Sequence, residues 1–268
     1  MQKFRSIFKS KLPVIGMIHV QALPGTPGNA LSSSEIINKA LSEAEKLKDG
    51  GIDSIMIENM HDLPYLNREV GHEISVLMGI IAHEIKQLTQ LPIGMQILAG
   101  ANKAALAAAK AANIDFIRAE GFVYAHIADE GLMNAQAGEL LRYRKQIDAE
   151  HIAIFTDIKK KHSSHAMTSD VSLLDTAKAA QFFKSDGVVV TGDHTASPAS
   201  VDDLEALKEH FEGPVLIGSG VTLENVATYA PLCDGFIVGS HFKEAGHWEN
   251  DPNYDRIAQF MDRVKTLR

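Results

Sequence analysis

Cysteine is almost missing: Cys233 is the single one in 268 residues. An internal disulfide is thereby excluded, and a reducing compartment, the cytoplasm, is the expected location. No apolar run reaches the roughly 18 residues expected of a membrane-spanning helix. Positive charge is short, with 26 Lys and Arg against 34 Asp and Glu and a formal net charge of −8. The chain therefore lacks the basic footprint that nucleic-acid binding requires. No GxGxxG follows a strand, and no Pro/Ser-rich linker or charge block divides the chain.

What is present is a regular alternation. Short apolar runs stand at residues 14–18, 53–57, 92–97, 115–119, 152–156, 187–191, 214–218 and 234–239. They are rich in Val and Ile and often preceded by Gly, Pro or Asp, as buried parallel strands are. Helix-like segments lie between most of them. SSSEIINKALSEAEKLKDGG carries a Ser cap, an early Glu and a closing Gly pair, and ANKAALAAAKAANI is rich in alanine. VSLLDTAKAAQFFKSDG and SVDDLEALKEHFEGP repeat the pattern. Eight such units of about 33 residues predict an α/β fold, a single (β/α)8 barrel over residues 1–268. An open doubly wound sheet is the runner-up, but it has fewer strands and an early glycine fingerprint. The basic N-terminus MQKFRSIFKSK lacks the apolar region and cleavage site of a targeting peptide. Residues 1–12 are expected to form a short element under the domain.

In such barrels chemistry sits where strands end. The first strand ends in His19, the second in Glu58, the third in Gln96, and the fourth delivers Arg118 and Glu120. The fifth gives Asp157, then Lys159, Lys160, Lys161, His162 and His165; the sixth gives Gly192, Asp193 and His194. The opposite turns, LKDGGID, KAANID, KSDG and FEGP, hold helix-stop residues and no His. This segregation is the strongest functional signal in the chain. Each residue also has a plainer reading. Glu58 would serve as a barrel-lining acid paired with Arg118 or a lysine, His19 as a satisfied core histidine, and the lysine run as a solvated loop. Asp157 follows Phe-Thr in a buried run, where an ionised group is costly without a partner. The HxxH of His162 and His165 is weak evidence for a metal without nearby acids. Asp62, His83, His126, His210 and His247 have no comparable placement.

The seventh and eighth strands both end in Gly-Ser turns, GSG at 218–220 and GS at 239–240. Loops at these positions hold phosphate groups through backbone N–H in many barrels. Gly218, Ser219, Gly220, Gly239 and Ser240, with Gly192, are therefore the expected phosphate cradle. Ordinary turn formation is the alternative.

GMIHVQALPGTP, SIMIENMHDLPY, FIRAEGFVYAHIADEGLMNAQAGELLRYR, FTDIKKKHSSH, GVVVTGDHT, GSGVTLENV and GFIVGSHFK together resemble the BtpA/SgcQ family over essentially the whole length. The resemblance implies a barrel of the phosphate-binding type, and the family is named for a factor in photosystem I biogenesis. Some of its members stand in sugar-uptake contexts. Ala196 stands where the resemblance implies a second glycine in the strand-six loop. No catalytic role carries over from the family.

Three functions follow as expectations. The first is an enzyme acting on a phosphorylated sugar or related ester, with Glu58 and Asp157 exchanging protons and His19 or His194 polarising an oxygen. In it Lys159 is a Schiff-base candidate and Gln96, Arg118, Glu120 and Asp193 complete the pocket. The sequence singles out no cofactor; a divalent metal held by Asp157 with His19 or His194 is a minor alternative. The second is a non-enzymatic assembly factor that tolerates loss of Glu58 and Asp157. The third is a nucleotide-directed enzyme whose base pocket would draw on Phe122 and Tyr124. A small phosphorylated ligand is the expected partner, and acidic barrels of this size commonly form homo-oligomers.

Overall fold

The computed structural model describes residues 1–192 and 198–268. Eight parallel strands close into a barrel: β1 (Val14–His19), β2 (Ser54–Glu58), β3 (Ile93–Gln96), β4 (Phe116–Ala119), β5 (Ala153–Ile158), β6 (Gly187–Val190), β7 (Val215–Ile217) and β8 (Gly235–Val238). Each strand pairs with its neighbours in sequence, and β8 closes on β1 with Val14 opposite Phe236. The predicted (β/α)8 barrel is the observed fold.

The helices form for local reasons. Helix α2 (Ser33–Asp49) begins with a reciprocal capping box between Ser32 and Glu35, and Gly50 follows its last turn. Helix α6 (Leu173–Phe182) repeats the box with Ser172 and Asp175. The seventh unit has only the short helix Val226–Tyr229, and the chain closes with Tyr254–Lys265 against the α2 side.

A fourfold device ties the floor together. Asp53, Asp115, Asp186 and Asp234 each precede an even-numbered strand. Their carboxylates accept an N–H at the start of the odd-numbered strand beside them, from the first residue at Val14 (2.8 Å), Ile93 (2.8 Å) and Val215 (2.9 Å) and from the second at Ile154 (2.9 Å). These strand-leading N–H groups would otherwise be left unpaired at the barrel end.

The barrel interior is filled from below. Helix α1 (Gln2–Ile7) presents Phe4, and Phe8 follows it; both pack with Phe116 and Phe155, at ring separations of 4.8–6.1 Å. Ile15, Met17, Met56, Val189, Leu216 and Ile237 complete this inner cluster. Gly94 is required here: a Cβ would fall inside the Phe116 ring. The N-terminal segment thus packs against the floor of the barrel. Among the described residues no helix is long and apolar enough to cross a membrane.

The loop after β4 departs from simple βα alternation. Residues His126–Ala128 and Gly131–Met133 form a hairpin, and Ser163–Ser164 from the β5 loop adds a third antiparallel strand.

Candidate active site

Side chains alternate in and out along a strand. The inward set reads apolar at the floor and polar at the rim: Ile15, Met17, His19 on β1; Met56, Glu58 on β2; Phe116, Arg118, Glu120 on and after β4; Ala153, Phe155, Asp157 on β5. The register sets His19 opposite Glu58 and Glu58 opposite Gln96. One barrel therefore carries His19, Glu58, Gln96, Arg118, Glu120 and Asp157 around a single cavity of about 410 Å³ at the carboxyl ends of its strands.

Charge in this cavity is organised in pairs. Arg118 grips Asp157 with both prongs: Nε donates to Oδ1 and Oδ2 (3.1 Å each) and Nη2 to Oδ1 (2.8 Å). Both side chains are buried. Burial pushes the Asp157 carboxyl above its usual range against the pull of Arg118, while Asp157 and Glu58 push the guanidinium up despite its burial. Lys160 donates to Glu120 Oε1 at 3.1 Å, also buried. Glu58 makes no such pair among the described residues: burial raises its carboxyl above 4.5, opposed by Arg118 and Lys161. Lys161 moves the other way, its ammonium disfavoured by burial and by Arg118. A carboxyl held above its usual range and an amine held below its own in one cavity bring the two groups closer in proton affinity.

His19 departs from its expected role. Its Nδ1 lies 3.0 Å from the Trp248 carbonyl, which only accepts, so Nδ1 carries the proton. Burial, aided by Lys243, lowers the ring to about 3. The neutral ring then presents Nε2 as a hydrogen-bond acceptor, which a hydroxyl can meet and a carbonyl oxygen cannot. Gly239 makes room for it, because a Cβ there would sit 3.2 Å from the ring.

Next to His19, on the strands that close the barrel, stand the Gly-Ser turns. Gly218, Ser219, Gly220, Gly239 and Ser240 all line the cavity. Among the described residues the N–H groups of Gly220, Gly239 and Ser240 donate no hydrogen bond. Gly220 has φ +67°, a conformation that glycine adopts without strain. Arg256 and His241 border the same corner; Arg256 Nε donates to the His241 carbonyl at 2.6 Å. Gly192 is placed differently. It does not line the cavity, and its N–H is held by Ser219 Oγ at 3.1 Å.

Other expectations are corrected. Lys159 turns away, donating to the Thr168 carbonyl at 3.1 Å beside a separate small cleft, so the Schiff-base role has no support in its placement. Lys160 and Lys161 enter the cavity instead. His162 lines the cavity, whereas His165 faces the small cleft beside His126, so the two share no metal-binding face. Among the described residues no three His, Cys, Asp or Glu side chains gather to hold a metal. Phe122 is core and Tyr124 borders the small cleft, so neither forms a base pocket at the mouth. Asp62 is structural, accepting from Leu23 N and Asn59 Nδ2. Asp193, His194 and Ala196 lie outside the described residues.

Several lining residues had no individual signal in the sequence: Tyr65 from the β2 loop, Trp248 from the β8 loop, and Asp129 and Glu130 at the hairpin tip. Arg256 was equally hidden, coming from the first turn of the last helix.

A closed parallel barrel with its polar residues gathered at the strand carboxyl ends defines the class of TIM barrels. One solved member is similar in fold, a thiamine phosphate pyrophosphorylase from Pyrococcus furiosus (TM-score 0.59, 11% identity, 96% of each chain covered). Within that class the chain belongs to the BtpA family, whose model matches residues 10–266. It is 49% identical to an uncharacterized mitochondrial protein of Caenorhabditis elegans, covering 95% of this chain and 94% of that one. It is 30% identical to the photosystem I biogenesis protein BtpA of Synechocystis, covering 96% and 89% respectively.

Proposed function

We propose that this protein is an enzyme that acts on a phosphorylated sugar or related phosphate ester by proton transfer at the barrel mouth. The unpaired N–H groups of Gly220, Gly239 and Ser240 would hold the phosphate, with Arg256 and His241 adding positive or polar character behind them. Glu58 would take a proton from carbon adjacent to a carbonyl, and Lys161 would stabilise the oxygen on which negative charge develops. His19 Nε2 would accept from a substrate hydroxyl. The Arg118–Asp157 pair positions these groups and sets their charge. The similarly folded barrel from Pyrococcus furiosus, a thiamine phosphate pyrophosphorylase by name, agrees with this reading as an analogy of fold.

The observation that carries the proposal is the meeting, in one cavity, of the half-buried Glu58 carboxyl, which has no ion-pair partner among the described residues, with Lys161 and the free amides of Gly220, Gly239 and Ser240. A passive assembly platform has no use for such a set. A second reading, a nucleoside phosphate as substrate, is favoured by Trp248 and Tyr65 beside Leu63 and Leu98 on the cavity wall. The same experiment separates them. Wild-type protein is incubated in deuterated water with a panel of aldose, ketose and nucleoside phosphates, and proton NMR follows exchange at carbon. The proposal expects exchange or conversion of a sugar phosphate, and a loss of about 10²–10⁴-fold in Glu58→Gln. No exchange with any sugar phosphate, or full exchange in the variant, contradicts it.

A further inference from the structure

The hairpin over the mouth is held from three sides. It pairs with Ser163–Ser164; Asn67 Nδ2 donates to the carbonyls of Glu130 (3.1 Å) and Leu132 (3.0 Å); Arg68 donates to the Gly121 and Asn134 carbonyls and to Gln136 Oε1. Elements from the β2, β4 and β5 loops thus fix one tip, and its residues Asp129 and Glu130 line the cavity.

On that wall, acceptors outnumber donors. Glu130 Oε2, Glu120 Oε2 and Gln96 Oε1 are all buried without a hydrogen-bond partner among the described residues. Glu120 and Gln96 are 5% and 2% exposed, and the other Glu120 oxygen is already engaged by Lys160. A buried acceptor left unpaired costs about 1–3 kcal/mol, a cost proteins seldom retain without use. An ionised carboxylate can only accept, so its missing partner must donate. The terminal torsion of a Glu side chain is soft, and a small rotation presents these oxygens to the cavity they line. In an eight-stranded ring β3 and β4 lie across from β7 and β8, which carry the unpaired amides.

We infer that Glu130 and Glu120, with Gln96 beneath them, form a specificity site for adjacent hydrogen-bond donors, hydroxyl or ammonium groups, at the end of the ligand remote from its phosphate. This rests on the phosphate-ester reading above. It makes the hairpin a recognition element: the ligand is held by amides at one end and carboxylates at the other, with Glu58 and Lys161 between them.

The test uses the fluorescence of Trp248, the sole tryptophan, which lines the same cavity. Wild type, Glu130→Ala and Glu120→Gln are titrated with inorganic phosphate, butyl phosphate, glucose 6-phosphate and glucosamine 6-phosphate. The inference expects at least one sugar phosphate to bind tenfold or more tightly than butyl phosphate. Glu130→Ala should abolish that gain while leaving inorganic phosphate binding unchanged and the melting temperature no lower than that of wild type. Preference for glucosamine 6-phosphate assigns the donor as ammonium; preference for glucose 6-phosphate assigns it as hydroxyl. Equal binding of butyl and sugar phosphates, or a gain that survives in Glu130→Ala, overturns the inference. Failure of inorganic phosphate alone, with the Glu130-dependent gain intact, overturns the phosphate cradle and leaves this site standing. Failure of both overturns both.

Discussion

Glu58 shows how a single side chain trades stability for chemistry. Because its folded value is raised above 4.5, the stability it contributes is fully present below pH 4.5 and is lost as pH rises through the folded value. Glu58→Gln should therefore melt higher than wild type at pH 8, by about 2–4 °C for each kcal/mol relieved, with the gain shrinking towards pH 4.5. Thermal melts across pH check this, and a variant that melts lower at pH 8 refutes it. His19 works in the opposite sense. Its contribution is present above pH 6.5 and is lost as pH falls towards about 3, so His19→Gln should lose less stability than wild type across that acid window. The Arg118–Asp157 pair is different again, since removing one partner strands a buried charge. Arg118→Met should cost about 3–5 kcal/mol, and chemical denaturation should show Arg118→Met with Asp157→Asn to be less damaging than Arg118→Met alone.

At the scale of elements, the strand-leading aspartates and the aromatic floor hold the barrel that the site needs. Asp186 accepts from Ile154 N, Lys3 and Arg144, whereas Asp234 has the Val215 N–H as its hydrogen-bond donor among the described residues. Asp186→Ala should accordingly destabilise more than Asp234→Ala, by about 1–3 kcal/mol in denaturant titrations. Phe8→Ala should cost about 3–5 kcal/mol, since the buried ring packs among Phe4, Phe116 and Phe155. All eight strands were legible in the sequence because a strand buried on both faces must be written as a continuous apolar run. The hairpin was not, because its strands His126–Ala128 and Gly131–Met133 are largely exposed and carry no such run. The choice among the three lysines was hidden for a backbone reason. Positive φ at Lys159 (45°) and His162 (54°) bends the chain between them, turning Lys159 out and bringing Lys160 and Lys161 in.

For the molecule as a whole, ring closure turns scattered letters into a site. His19, Glu58, Gln96, Arg118 and Asp157 lie up to 138 positions apart in sequence, yet each stands at the rim end of an inward-facing row. Their place at the end of a short apolar run made them readable in the sequence. Trp248 and Glu130 have no such place because they arrive from loops, where no period constrains direction. Closure also sets the amides that follow β7 and β8 across from Gln96 of β3 and the acids that follow β4, giving the cavity two chemically distinct ends. The central claim is that one of those ends binds phosphate, and a crystal of the protein soaked with inorganic phosphate tests it most directly. The account predicts a phosphate within hydrogen-bonding distance of the Gly220, Gly239 and Ser240 amides, and a cavity that holds phosphate elsewhere, or not at all at a saturating concentration, would contradict it.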